Sequence, residues 1–264
     1  NAAYWSIATT MRSDNKALST VQDALGLGSA KVDVAYTGMN AAIKVVDEIK
    51  TKLVAAREPG VDRSKVQEEI TQLQNQLVSI TTAAAFSGEN WLSVDSGDAA
   101  YSATKSIVAS FNRSSAGTVS VSTVDIDISS TELFDAADQS GILDTTFTTT
   151  GAGAATVSVS DLDITAAGID NTDIDDMISN VDGALASMST AAATLGAAKS
   201  RVSIQKDFVG ELMNAIDRGI STLVDADMTA ESTRLQALQT QQQLGIQALS
   251  IANSGAQSVL SLFR

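Results

Sequence analysis

Cysteine and histidine are absent from this chain of 264 residues, proline occurs once, at Pro59, and aromatic residues make up only 4%. Without cysteine there is no disulfide and no thiol nucleophile. Without histidine the side chain that titrates nearest neutral pH is missing, and Cys/His zinc sites go with both. Most hydrolase and redox constellations are therefore excluded before any motif search. Lys and Arg are also missing from a long central stretch. Between Ser114 and Ala198 there are thirteen acidic residues and no basic one, which accounts for almost all of the net charge of −14. Nucleic-acid binding needs a basic footprint, and the chain has none. No run is apolar enough to read as a signal peptide or membrane span.

What is present is helical periodicity of unusual length. Tyr4, Ile7, Met11, Leu18, Val21, Leu25, Val32, Ala35, Met39, Ala42, Val46, Ile49, Leu53 and Ala56 follow 3-4 spacing, with Asp14 and Gly28 as the weak points of the seam. About seven heptads exceed the needs of a compact globular helix. Glu58-Pro59-Gly60 ends the run, since proline disfavours helix before itself and glycine permits reversal. A second helix is predicted from Ser64, with Ser64 as N-cap, Gln67 completing a capping box, and a stripe of Val66, Ile70, Leu73, Leu77, Ile80 and Ala84. The short connection makes it antiparallel to the first. Gly and Asn in Phe86–Leu92 predict a small hairpin.

From about 99 to 171 the composition turns to Ser, Thr, Val, Gly and Asp. Thr118–Ser122 and Thr156–Ser160 are identical pentapeptides, TVSVS, which predict an acidic β-rich module built on an approximate repeat. Helical spacing resumes after Thr172 and runs from Ile174 through Val181, Met188, Leu195, Val202 and Val209 to Leu223. Its weak points are Lys199, Gln205 and Gly219, and a break is expected at Asp225-Ala226-Asp227. In the last helix no charged residue occurs between Leu235 and Phe263. Leu235, Leu238, Leu249, Ala252, Ala256 and Val259 fall near one face, with Gly245 as a point of close approach. A helix of Gln, Ser and Ala on one side and Leu, Ile and Val on the other needs protein partners, so these six residues form the candidate assembly interface.

The expected organisation is 1–98 for the first half of a helical core with its small hairpin, 99–171 for the β domain, 172–225 for the returning core helix and 226–264 for the last helix. The fold class is mainly α with a β-rich insertion: an elongated antiparallel helical rod, with the β-module projecting from one end.

Candidate chemistry is sparse. Ser13–Lys16 and Ser102–Lys105 match S-x-x-K, in which lysine can activate a serine nucleophile one helical turn away, yet no K-T-G partner occurs. A solvated helix face explains them better. Asp170, Asp173, Asp175 and Asp176 could offer oxygens to calcium but fail the EF-hand pattern, and acids at a helix start complement its dipole. The six Met residues read as core filler, and Asn112-Arg-Ser114 is a glycosylation sequon by pattern alone. Neither a catalytic residue nor a cofactor or metal site follows.

The terminal segments resemble bacterial flagellin of the alpha-proteobacterial type. The resemblance rests on Asn1–Asp14, Gln67–Leu73, Phe86-Ser-Gly88, Val224–Leu235, Gln241–Asn253 and Val259–Arg264. It covers about 1–98 and 172–264 and leaves out the middle. It implies a filament subunit for motility, exported and polymerised outside the cell, with self, the export chaperone and the cap as partners. The chain opens on Asn1-Ala2-Ala3 without Met, so the resemblance also implies an N-terminal truncation of roughly forty residues that removes the partner of the last helix. The vertebrate flagellin receptor reads an Arg four residues before the leucine matching Leu53. Here Ile49 stands there, which weighs against recognition although Glu69 matches a receptor-contacting Glu. A different class of function would be a flagellin-like surface protein whose central domain binds a glycan, stacking it on Tyr101, Phe111, Phe134 or Phe147.

Overall fold

The computed structural model describes the backbone of residues 2–224 and 228–262, and the side chains of 4–224 and 232–253. The expected break at 225–227 lies outside the described residues. Two compact units share the chain. The larger is Asp14–Met213, and the smaller combines Asn1–Ser13 with Asn214–Arg264.

The larger unit is built on α1 (Ala2–Ala56, most of which it contains), α2 (Arg63–Ala83) and the greater part of α3 (Asn171–Val224). Arg57 pairs with Asp175, Lys50 with Asp182 and Asp33 with Lys199. Seven residues back along α1 correspond to seven forward along α3, and the next seventeen correspond to seventeen. The helices therefore run antiparallel in one unbroken register. Each pair is partly exposed and adds little stability. The buried seam supplies it, with Leu18, Leu25, Val32, Met39, Val46, Ile49 and Leu53 on α1 against Ile174, Met177, Val181, Met188, Leu195 and Val202 on α3. Full burial of side chains this size contributes about 1.5–3 kcal/mol each.

The seam's weak points prove to be docking points. Between α2 and α3 the chain forms a hairpin of β4 (Thr104–Arg113) and β5 (Val119–Asp127), antiparallel with a bulge between Val108 and Ser110. Arg113 bonds Asp14 through Nε at 3.0 Å and Nη2 at 2.7 Å, Gly28 receives the Ile107 side chain, and Gln205 Nε2 donates to Ala109 O at 2.9 Å. The expected module projecting from one end is corrected for this part. The hairpin lies back on the helices because two strands are marginal alone, and Ile107, Ala109, Val124 and Ile126 need a face to bury against.

The repeat also needs correction. Its first copy lies almost wholly in β5, whereas the second gives only β8 (Thr156–Val157), which pairs with β7 (Phe147–Thr148) and runs into a 3-10 turn at Val159–Asp161. The residue that follows decides this. Thr123 continues the first strand, but Asp161 accepts hydrogen bonds from Ser158 N at 2.5 Å and Ser158 Oγ at 2.7 Å, closing a turn. The small hairpin of β1 (Ala85–Phe86) and β2 (Glu89–Asn90) forms as expected, with Ser87 and Gly88 at positive φ. The β3 strand (Ser93–Val94) pairs in parallel with β6 (Phe134–Asp135).

The α2 cap is Asp62 rather than Ser64, its carboxylate accepting from Ser64 N at 3.1 Å. Gln67 bonds Leu162 O and Ile164 N, both at 2.9 Å, instead of closing a capping box. Buried Gln74 donates to Val159 O and Leu162 O on the same strap, so the inward face of α2 is Ile70, Gln74, Leu77 and Thr81.

In the smaller unit Ala8 is buried while Tyr4 and Ile7 are exposed, a one-position shift from the expected seam. The Met11 methyl packs against Gly219 there, so the glycine again marks a contact. The α4 helix (Met228–Leu262) completes this unit.

Candidate functional site

Every α4 side chain from Thr233 to Asn253 is exposed. Of the expected interface, Leu235, Leu238, Leu249 and Ala252 lie in solvent, while Ala256 and Val259 fall outside the described side chains. Leu244, Ile246 and Ile251 are exposed as well, up to 71% for Ile251. Following one heptad register hides them, although the composition of the segment carries them openly. At 100° per residue, Ile246 widens the expected face and Leu244 and Ile251 start another. Large apolar side chains stand on more than one side of this stretch, with Gln residues between them, so it has no single face to bury in the monomer. Gly245 has no neighbour within 4 Å, leaving room for close approach.

The acidic cluster at the start of α3 is a fastening rather than an open cage. Asp173 is fully buried and accepts from Asp170 N at 3.0 Å, Thr149 Oγ1 at 2.5 Å and Gly153 N at 2.9 Å. Asp170 accepts from Thr172 N and Asp173 N, Asp176 from Thr150 N and its hydroxyl, and Asp175 from Arg57. The oxygens a cation would need are committed to the loop at 149–153, to the first amides of α3 and to Arg57. The Asp170 amide, then the Thr149 hydroxyl, hold Asp173 down from an ordinary 3.8 to about 2. A depressed carboxylate stabilises above its unfolded pKa, and that contribution disappears as pH falls through the folded value. Amide protection of residues 149–153 is therefore expected to fall between about pH 4 and pH 2. In Asp173→Asn that window should be flat; a drop of wild-type size in the variant contradicts the assignment.

Glu132 is buried and accepts from Tyr101 Oη at 2.5 Å. Burial first, then this bond and the nearby acids, push the tyrosine up to about 12; burial also raises Glu132. Tyr101→Phe removes the donor from a buried carboxyl and is expected to cost about 1–3 kcal/mol in denaturant unfolding. An unchanged midpoint would show that the bond contributes nothing.

The other candidates fall apart as sites. Ser102 precedes β4 and donates to Thr104 O at 2.9 Å, while Lys105 lies 5.9 Å from the Tyr101 ring centroid. Strand geometry thus separates a pair that helical spacing would have joined. Asn112 is exposed and donates to Ser110 Oγ at 3.2 Å. Tyr101, Phe111, Phe134 and Phe147 are all half-buried, poor platforms for stacking a sugar. Met39, Met177 and Met188 are buried as core filler, whereas Met228 lies outside the described side chains. Among the described residues there is no group of three or more acids placed to hold a metal, and no helix is long and apolar enough to cross a membrane.

Long antiparallel helices, with a last helix that carries no charge after Arg234 and exposes every described side chain, are features of a structural protein. Comparison with known proteins specifies which. Residues 1–96 match the bacterial flagellin N-terminal helical region and 178–263 the bacterial flagellin C-terminal helical region. Flagellin C of Rhizobium meliloti (strain 1021) is 52% identical over 280 residues, covering all of this chain and 87% of that protein. A flagellin of Brucella melitensis biotype 1 is 45% identical over 265 residues, covering all of this chain and 85% of that protein. The chain belongs to the bacterial flagellins, in their alpha-proteobacterial branch, and is a structural subunit of the flagellar filament. The crystal structure of Bacillus cereus flagellin, at 14% identity and a TM-score of 0.36 over 82% of this chain and 94% of that one, is too distant to add a structural argument.

Proposed function

We propose that α4 is the element through which this flagellin assembles, with Leu235, Leu238, Leu249, Ala252, Ala256 and Val259 on its main face, Ile246 extending it, and Leu244 and Ile251 on another side. The observation that carries the reading is the exposure of all the large apolar side chains from Leu235 to Ile251, on the part of the helix that carries no charge. In the monomer such a helix has little packing to hold it and fluctuates. Against neighbouring subunits it orders, and the absence of charge permits burial without an unpaired ion costing several kcal/mol. Hydrogen exchange on monomer and filament tests this: α4 amides are expected to slow strongly on assembly, and equal protection in both states overturns it.

By family resemblance the same face serves the export chaperone before assembly, the cap takes part in polymerisation, and the mature location is extracellular, in the flagellum at the cell surface. The division into 1–98, 99–171, 172–225 and 226–264 belongs to this proposal, supported by the failure of residues 97–177 to match either family region. The role is structural and non-enzymatic. Recognition by the vertebrate flagellin receptor is disfavoured: Ile49 is fully buried and Glu69 is paired with Lys52 at 2.6 Å.

A further inference from the structure

A filament is an open polymer. Joining copies through one self-complementary patch closes a dimer, whereas two different patches that fit one another join copies head to tail and can extend without closing. The larger unit carries one conspicuous apolar projection on α3. Between buried Val202 and Val209, the side chains of Ile204 and Phe208 stand four residues apart, 66% and 57% exposed. That spacing puts them on one face of the helix, directed away from the seam.

The same unit also offers an apolar concavity. Between α1 and α2 lies a cleft of about 410 Å3 lined by Val34, Thr37, Gly38, Ala41, Ile80 and Ala83. Its floor is made of small residues. At Gly38 a Cβ would sit 2.8 Å from both Ala84 and Leu92, so the glycine lets the end of α2 close over α1 and shapes this trough. Asp33 at the rim is already paired with Lys199 at 2.6 Å and presents no free charge. Other clefts are lined by Lys44 and Glu48, by Lys65, Glu68 and Glu69, or by Lys31, Glu89 and Lys105, and would set an apolar knob against ions.

We infer that Ile204 and Phe208 of one subunit seat in the α1–α2 trough of a second copy, a head-to-tail contact that propagates along the filament. The inference rests on the filament role, and it adds a site within the larger unit, separate from the α4 interface. An isolated protein has little reason to keep a phenylalanine and an isoleucine side by side in water, whereas a helical polymer covers them at every repeat.

The chain has no native cysteine, which makes the test clean. Phe208→Cys combined with Ala41→Cys introduces the only two thiols. Filaments of the double variant treated with a short bismaleimide are expected to give a ladder of dimers, trimers and longer species on a denaturing gel, and each single variant a monomer. Assembled filaments that yield monomer alone overturn the contact. A second measurement does not depend on the thiols. Phe208→Asp is expected to raise the subunit concentration needed for elongation tenfold or more with an unchanged circular dichroism spectrum, and Phe208→Leu to elongate as wild type. Normal elongation of Phe208→Asp overturns the knob while leaving the filament role and the α4 interface intact.

Discussion

Cells whose flagellin carries Leu249→Lys are expected to lack filaments, while the purified subunit keeps the thermal transition of its larger unit. Leu249 is 66% exposed, so the monomer accommodates lysine at that position without loss. In the filament the same side chain would be an unpaired ion within an uncharged stretch. At several kcal/mol for a buried ion without a partner, and one decade per about 1.4 kcal/mol, the assembly constant falls by roughly a thousandfold. Leu249→Met keeps volume and polarity and should assemble normally. Negatively stained cells and a melting curve read both halves of the expectation. Filaments of normal length in the lysine variant would show that this face of α4 is not buried on assembly.

Two glycines a turn apart or less on α1 should respond in opposite directions. Gly26 has no neighbour within 4 Å, so Gly26→Ala gains helix propensity without steric cost, about 1 kcal/mol. At Gly28 the same propensity gain competes with the hairpin. A Cβ there would lie 2.5, 2.7 and 2.9 Å from three carbons of Ile107. Isoleucine is stiff at χ1, and β4 is paired to β5 on both sides of Ile107, so the neighbour gives way only if the strand lifts. Overpacking of this kind costs about 1–3 kcal/mol. Gly28→Ala is therefore expected to destabilise on balance, and Gly28→Leu to separate the hairpin from α1, exposing Ile107 and Ala109. Denaturant melts, with amide exchange in β4 as the local readout, distinguish the outcomes. Stabilisation at both positions would mean that the hairpin does not seat on Gly28.

The helical part of the fold was legible because burial repeats along it. The 3-4 spacing from Leu18 to Ala56 states directly which side chains are buried, and a two-residue Ser-Gly turn states where β1 and β2 reverse. What stayed hidden depends on partners distant in sequence. Asp14 reads as a lapse in the seam until Arg113, far along the chain, is seen to bond it. The paired pentapeptides look equivalent until the next residue, Thr123 or Asp161, sets one to continue and the other to turn. Gln67 has the spacing of a capping box, yet the strap at 162–164 outcompetes the helix end for its amide. The first turns of α1 departed from the seam as well, with Ala8 inward in place of Ile7.

The proposed assembly face was half legible for a related reason. One heptad register picks out Leu235, Leu238 and Leu249, but a helix that, as proposed, is buried on several sides would have no single stripe. Leu244 and Ile251 belong to a further side and become conspicuous once the described stretch of the helix is seen to be exposed throughout. A monomer's own core imposes one inward direction on each helix, whereas an assembly imposes several.

Hydrogen exchange of α4, Met228–Leu262, in monomer and in filament tests most directly whether this helix is the assembly element. Fast exchange is expected from Leu235 onward in the monomer and strong protection in the filament, with Leu238, Leu249 and Ile251 slowed together as one buried element. Protection that is the same in both states would contradict it.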